Sequence, residues 1–206
     1  PGWDVEFENE LKNMKNNKFY LSGTMVGAGQ VYFDAGQQIE NFDENYLLNN
    51  LEKIKTFNFQ GTTKCPGLVH IDLWKKVGGW SEEFSPTGGD DTDFAFKLWN
   101  EDVRIFKGLG KSLAYHFGSI TTRKKSKKLF TYLGSRANKI FIKKWNISIN
   151  FFENTYLKSG LDKNKNLIFK EYKDILYQPK KNYNYYIEII KCSFLKLYLK
   201  LIRYKY

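Results

Sequence analysis

Short strand-like segments alternate with helical ones along this 206-residue chain, and that alternation predicts an α/β or α+β fold. Apolar residues make up 42% and aromatics 17%, the composition of a folded globule rather than a disordered chain. No GxGxxG, GxxxxGKS/T or GxSxG sequence occurs, so the dinucleotide, P-loop and hydrolase versions of the class lack their motifs. At roughly 150 residues per domain, the length predicts one domain, or one and a half.

Each element has its own local cause. Residues 5–17 run from acidic to basic, the order that complements a helix dipole. Residues 18–26 (KFYLSGTMV) have strand composition, ended by a turn at Gly27, Ala28 and Gly29. Asp43 is placed to cap a helix reaching about Thr56, on which Leu47, Leu48, Leu51 and Ile54 recur at helical spacing. Pro66 and Gly67 open an apolar stretch to Ile71 in which His70 reads as core. Asp72 then caps a helical turn closed by Gly78 and Gly79. Residues 87–89, from Thr87, form a loop, and Asp90 or Asp91 caps a helix to about Asn100 that buries Phe94, Leu98 and Trp99. Residues 103–106 and 112–116 read as two short strands, 126–145 (from Ser126) as a basic amphipathic helix, and 150–182 as irregular and polar.

Charge divides the chain. Residues 1–102 hold 17 acidic and 9 basic residues, a net of −8, whereas 103–206 hold 24 basic and 5 acidic, a net of +19. Grouped carboxylates followed by a basic half suit a metal- or phosphate-handling site beside a polyanionic surface; the plain alternative is a solvated basic face. Of the 33 basic residues 29 are Lys and 4 are Arg, beside 18 Asn and 15 Ile. That is a coding bias toward A/T, and it leaves scarce the residue that base-edge readout favours. Cys65 and Cys192 are far apart, with no CxxC and hence no zinc pattern, which predicts a reduced, cytoplasmic setting. Nothing approaches the ~18 uncharged apolar residues of a spanning helix. In the tail, 182–206, Lys196, Lys200 and Arg203 fall on one stripe of a helical wheel beside a wide apolar arc. That suits a helix packed on the protein or one lying in a membrane interface.

The densest chemistry lies in 78–94, GGWSEEFSPTGGDDTDF. Two glycine pairs, Gly78-Gly79 and Gly88-Gly89, let a backbone approach a ligand closely. Asp90, Asp91 and Asp93 fall at a loop-to-helix junction, where neighbouring like charges raise one another's pKa and make a base near neutral pH. Trp80 offers a flat face of the kind that stacks on a sugar ring. Read as structure alone, the aspartates are a helix cap and Trp80 is core. His116 ends a predicted strand, where an imidazole is able to ligate a divalent metal.

The run PGLVHIDLWKKVGGWSEEF (66–84), then GDDTDF (89–94), then Tyr115-His116-Phe117, resembles family-2 glycosyltransferases of the GT-A fold over roughly residues 1–145. The resemblance implies part of a GT-A fold, a mixed sheet with flanking helices, and an inverting transfer of a sugar from a nucleotide-sugar donor to a hydroxyl of a glycan or lipid-linked glycan. It implies Asp91 as general base with Asp90 as its partner, an acceptor pocket at Trp80, Gly78, Gly79 and Asp93, and donor contacts at Gly88 and Gly89. It also implies His116 as ligand to a Mn²⁺ or Mg²⁺ on the donor diphosphate. No DxD precedes Trp3, so the donor-binding half of the family is expected to be absent, residues 1–145 to be the acceptor-side portion, and 146–206 a basic, partly helical extension. The expected partners are the donor, the acceptor and an anionic membrane surface on the cytoplasmic side, not nucleic acid. The alternative from another class is a basic nucleic-acid-binding module without enzymatic activity. A Mg²⁺-dependent phosphatase or nuclease built on DDxD comes third, for want of a second acidic cluster.

Overall fold

A computed structural model describes residues 2–27, 29–61, 66–85, 88–117, 127–159, 170–173 and 179–202. Ala28, Cys65, Thr87, Ser126 and Arg203, used in the readings above, lie outside them. The fold is α/β, with a mixed four-stranded sheet flanked by helices. In chain order the main elements are α1 (Trp3–Asn13), β1 (Phe19–Gly27), α2 (Glu44–Asn49), α3 (Leu51–Ile54), β2 (Phe59–Gln60), β3 (Gly67–Val69), α4 (Ile71–Val77), α5 (Asp90–Asn100), β4 (Ile105–His116), α6 (Lys127–Trp145), α7 (Ile149–Phe151) and α8 (Tyr183–Leu201). A π-helical stretch, Phe152–Leu157, follows α7.

The sheet order is β2-β4-β1-β3. β1 runs parallel to β4, pairing Phe19 with Ile105 and Gly27 with His116, and antiparallel to β3, pairing Tyr20 with Val69. Because strand side chains alternate between faces, β1 serves two cores. Phe19 and Leu21 pack with Phe7 of α1 and Leu109, while Tyr20 joins Phe84, Phe94, Leu98, Phe106, Phe141 and Phe152 on the other face. Each such phenylalanine contributes about 1.5–3 kcal/mol by leaving water. The second core holds α5 and α6 against the sheet, and so fixes the start of α5.

The structure departs from the sequence expectations at several places, each for a physical reason. Residues 105–116 are one strand, not two short ones. Gly108 and Gly110 break the strand pattern in sequence, yet a Cβ at Gly108 would sit 2.1 Å from the Phe59 ring, so the glycine is what lets β2 close on β4. The register shifts between Ser22 and Thr24, where β4 bulges. Asp43 does cap its helix, accepting from Tyr46 N at 2.8 Å, but the helix breaks at Asn50 into α2 and α3. His70 is not core: its Nδ1 accepts from Asp72 N at 3.3 Å and caps α4, in place of the expected Asp72.

The hydrophobic core also continues past residue 145. Ile147, Phe152, Tyr156 and Leu157 belong to the same cluster as Phe94 and Phe141, and the Phe96 and Phe152 rings meet edge to face at 4.8 Å. Residues 170–172 lie beside β2 through Gln60 N to Lys170 O and Tyr172 N to Asn58 O. The segment 150–157, expected to be irregular and polar, is helical and buries Phe152, Tyr156 and Leu157.

Candidate functional site

The carboxylate loop takes its shape from α4 and α5. Gly78 ends α4 with its N–H on the Lys75 and Trp74 carbonyls, and Gly79 turns the chain against the Trp74 ring. A short 3₁₀ turn, Glu82–Phe84, then buries Phe84 completely. Gly89 is the N-cap of α5 at φ 96°, a region that penalises any Cβ, and a Cβ there would come within 3.1 Å of the Ala137 side chain. Gly89 therefore seats α6 against α5. Gly88 is exposed and borders a groove.

All three aspartates fall in the first turn of α5, where backbone N–H groups lack helical partners and the dipole favours negative charge. Their fates differ. Asp90 and Asp91 are half-buried, and Asp91 Oδ1 accepts from Thr92 N at 2.8 Å. The Thr92 hydroxyl donates onward to Glu153 Oε1 at 3.1 Å, from the π-helical stretch.

Asp93, by contrast, is 0% exposed. Its Oδ2 accepts from Ser81 Oγ at 2.6 Å and from Lys144 Nζ at 3.0 Å, and its Oδ1 from Trp145 Nε1 at 2.6 Å. Lys144 also reaches Glu83 at 2.8 Å, and Lys97 donates to the Gly79 carbonyl at 2.9 Å. Burial lowers the Lys97 pKa, opposed chiefly by the nearby Asp93 charge. Asp93, expected to touch an acceptor, instead anchors the loop from beneath. Both its oxygens are taken by protein donors.

Trp80 is 48% exposed, so it is not core. Its ring meets Trp74 edge to face at 5.6 Å and stands between two grooves. One, of about 310 Å³, is apolar and aromatic, with Tyr20, Val69, Ile71, Trp74 and Phe94. The other, of about 300 Å³, is the more polar of the two and brings Trp80 and Phe84 together with Ser81, Glu82, Gly88 and Asp90. A rigid ring beside the half-buried Asp90 carboxylate is able to hold a polyhydroxylated ligand by stacking and accept a proton from it; Asp91, the next residue, lines neither groove.

His116 lies apart, at the end of β4, in a smaller cavity of about 140 Å³ shared with Tyr32, Asp34, Gln37 and Tyr115. The Tyr115 hydroxyl fixes that loop, donating to Gly36 O and accepting from Ala35 N, each at 2.9 Å. Asp34 accepts from Gly36 N at 3.0 Å. Among the described residues no group of three or more His, Cys, Asp or Glu side chains stands ready to hold a metal ion.

Sequence reasoning passed over Lys144, Trp145, Glu83, Glu153 and Asp34. The signal for the first two was the KKW that closes the basic helix; the others carry no local signature. The chain matches no family model, no curated protein and no solved structure.

Proposed function

We propose that this chain carries the acceptor side of an inverting glycosyltransferase with a GT-A-like fold, moving a sugar from a nucleotide-sugar to a hydroxyl of a glycan or lipid-linked glycan at the cytoplasmic face of a membrane. The observation that carries the reading is Trp80. Its half-exposed ring joins an aromatic groove to a polar one bordered by Asp90, next to Asp91 at the start of α5. The mixed sheet flanked by helices is compatible with it.

On this reading the acceptor ring stacks on Trp80 with its hydroxyl toward the aspartates. Asp91, with Asp90 beside it, takes the hydroxyl proton as the oxygen attacks the anomeric carbon from the face opposite the leaving group. The bond to the diphosphate breaks with its electron pair on the phosphate oxygen, and the configuration inverts. Gly88 borders the polar groove where the donor sugar would approach. Asp93, Lys144 and Trp145 keep the aspartates in place and do not contact the substrate.

His116 and Asp34 would be this chain's donors to a Mg²⁺ or Mn²⁺. Two protein donors suit a hard cation that keeps most of its oxygens from phosphate and water. When bound, such an ion neutralises charge on the leaving diphosphate.

The test is binding of the 206-residue chain to an immobilised glycan panel, with and without Trp80→Ala. The expected result is binding to a subset of glycans that the substitution abolishes while the thermal melt stays in place. No glycan binding, or binding indifferent to Trp80→Ala, overturns the reading. Salt-sensitive retention on generic oligonucleotides would replace it with the nucleic-acid module.

A further inference from the structure

α8 uses one face to join the protein and turns another outward. At ~100° per residue, Tyr185, Cys192 and Leu199 fall within about 40° of one another, and Cys192 and Leu199 are buried. On the opposite side Tyr186, Ile190, Phe194, Leu197 and Leu201 fall within about 80°, and all five are exposed, Phe194 at 70% and Leu201 at 73%. The stripe runs the length of a 19-residue helix. The exposed Lys191 and Lys200 stand on its two borders.

The helix's single carboxylate is turned away from this stripe. Glu188 accepts from the Ser148 hydroxyl and from Cys192 Sγ at 3.4 Å, on the side that meets the rest of the chain. The outward side of α8 is therefore apolar along its middle and purely cationic along its edges. Two copies meeting through this stripe would set these lysines against one another with no acidic group on the helix to receive them. Anionic headgroups would receive them, while the lysine stems cover apolar surface and the ammonium groups reach outward. No described helix is long and apolar enough to cross a membrane.

We propose that the Tyr186–Ile190–Phe194–Leu197–Leu201 face of α8 docks flat into the interface of an anionic lipid bilayer, with Lys191 and Lys200 on its headgroups. The inference deepens the membrane location in the proposed function and is independent of the reaction assigned to the grooves, since none of these residues lines them. The experiment is co-sedimentation of the 206-residue chain with vesicles of phosphatidylcholine alone or mixed with phosphatidylglycerol. Binding is expected only with the mixture, weakened by salt, and reduced at least about tenfold by Phe194→Glu with Leu197→Glu or by Lys191→Glu with Lys200→Glu. As a readout that does not depend on charge-introducing variants, Phe194→Trp should shift its emission to the blue when mixed vesicles are added. Binding that the double variants leave intact, no binding to the mixture, or no spectral shift each overturns the proposal. So does a dimer in light scattering that Phe194→Glu with Leu197→Glu splits, which would assign the face to a second copy.

Discussion

Lys144 Nζ lies 3.0 Å from Asp93 Oδ2, joining the last turn of the long basic helix to the first turn of the helix that bears the carboxylate loop. The carboxylate is wholly buried and the ammonium is partly so. Removing the partner of a buried charge costs about 3–5 kcal/mol, and replacing both can cost less than the two single losses together. Asp93→Ala and Lys144→Ala should each lower the urea midpoint, with the smaller loss for Lys144→Ala because Lys97 remains 3.8 Å from Asp93. The double variant should lose less than the sum. Strict additivity in urea unfolding would show the two groups uncoupled.

Asp91 is the expected base, and its carboxylate is already oriented by the Thr92 N–H. In a preparation that turns over a nucleotide-sugar, Asp91→Asn should cut kcat about 10²–10⁴-fold, with KM for the acceptor changed little. Release of nucleotide diphosphate measures it. Full activity in Asp91→Asn with loss in Asp90→Asn would transfer the role to Asp90, and activity in both would end it.

The cavity at His116, about 140 Å³, is small beside the ~300–1,000 Å³ of sites that enclose a drug-sized ligand. Titrating uridine, guanosine and cytidine diphosphates with Mn²⁺ into the 206-residue chain should therefore show no micromolar binding by calorimetry. Micromolar binding that His116→Ala removes would place a complete donor site on this chain.

Cys192 supplies a pH dependence. Burial, and after it the Glu188 carboxylate, push its thiol up to about 12 from an ordinary 9.0. Between those values the folded chain keeps a proton that the unfolded chain gives up, so this group's contribution to stability falls as pH rises through the window. Melts at about pH 8 and about pH 10.5 should show the wild type losing more than Cys192→Ala. Equal losses would mean that the thiol titrates alike in both states.

The parts legible in the sequence were those with local causes. β1 announces itself by its aromatic and β-branched run, and α5 by Phe94, Leu98 and Trp99 behind three aspartates. What stayed hidden depends on partners far along the chain. Nothing near Asp93 distinguishes it from Asp91, because the groups that bury it, Lys144 and Trp145, arrive from another helix. Gly108 reads as a strand breaker until Phe59 is seen pressing on it. His70 looks apolar by its neighbours, yet its ring nitrogen meets the orphan N–H of Asp72 at a helix start.

That the core runs on to Leu157 has a consequence in time. At ~5–20 residues per second, about 3–13 s of translation separate Phe94 from Leu157 on the ribosome. During that interval the helix bearing the aspartates waits without Phe152, Tyr156 and Leu157, the side chains that cover Phe96 and Trp99. The carboxylate loop is thus among the last parts of the molecule to settle, and a stop codon after His116 but before residue 152 would leave a chain that holds all four strands of the sheet and keeps its apolar surface open to chaperones and proteases.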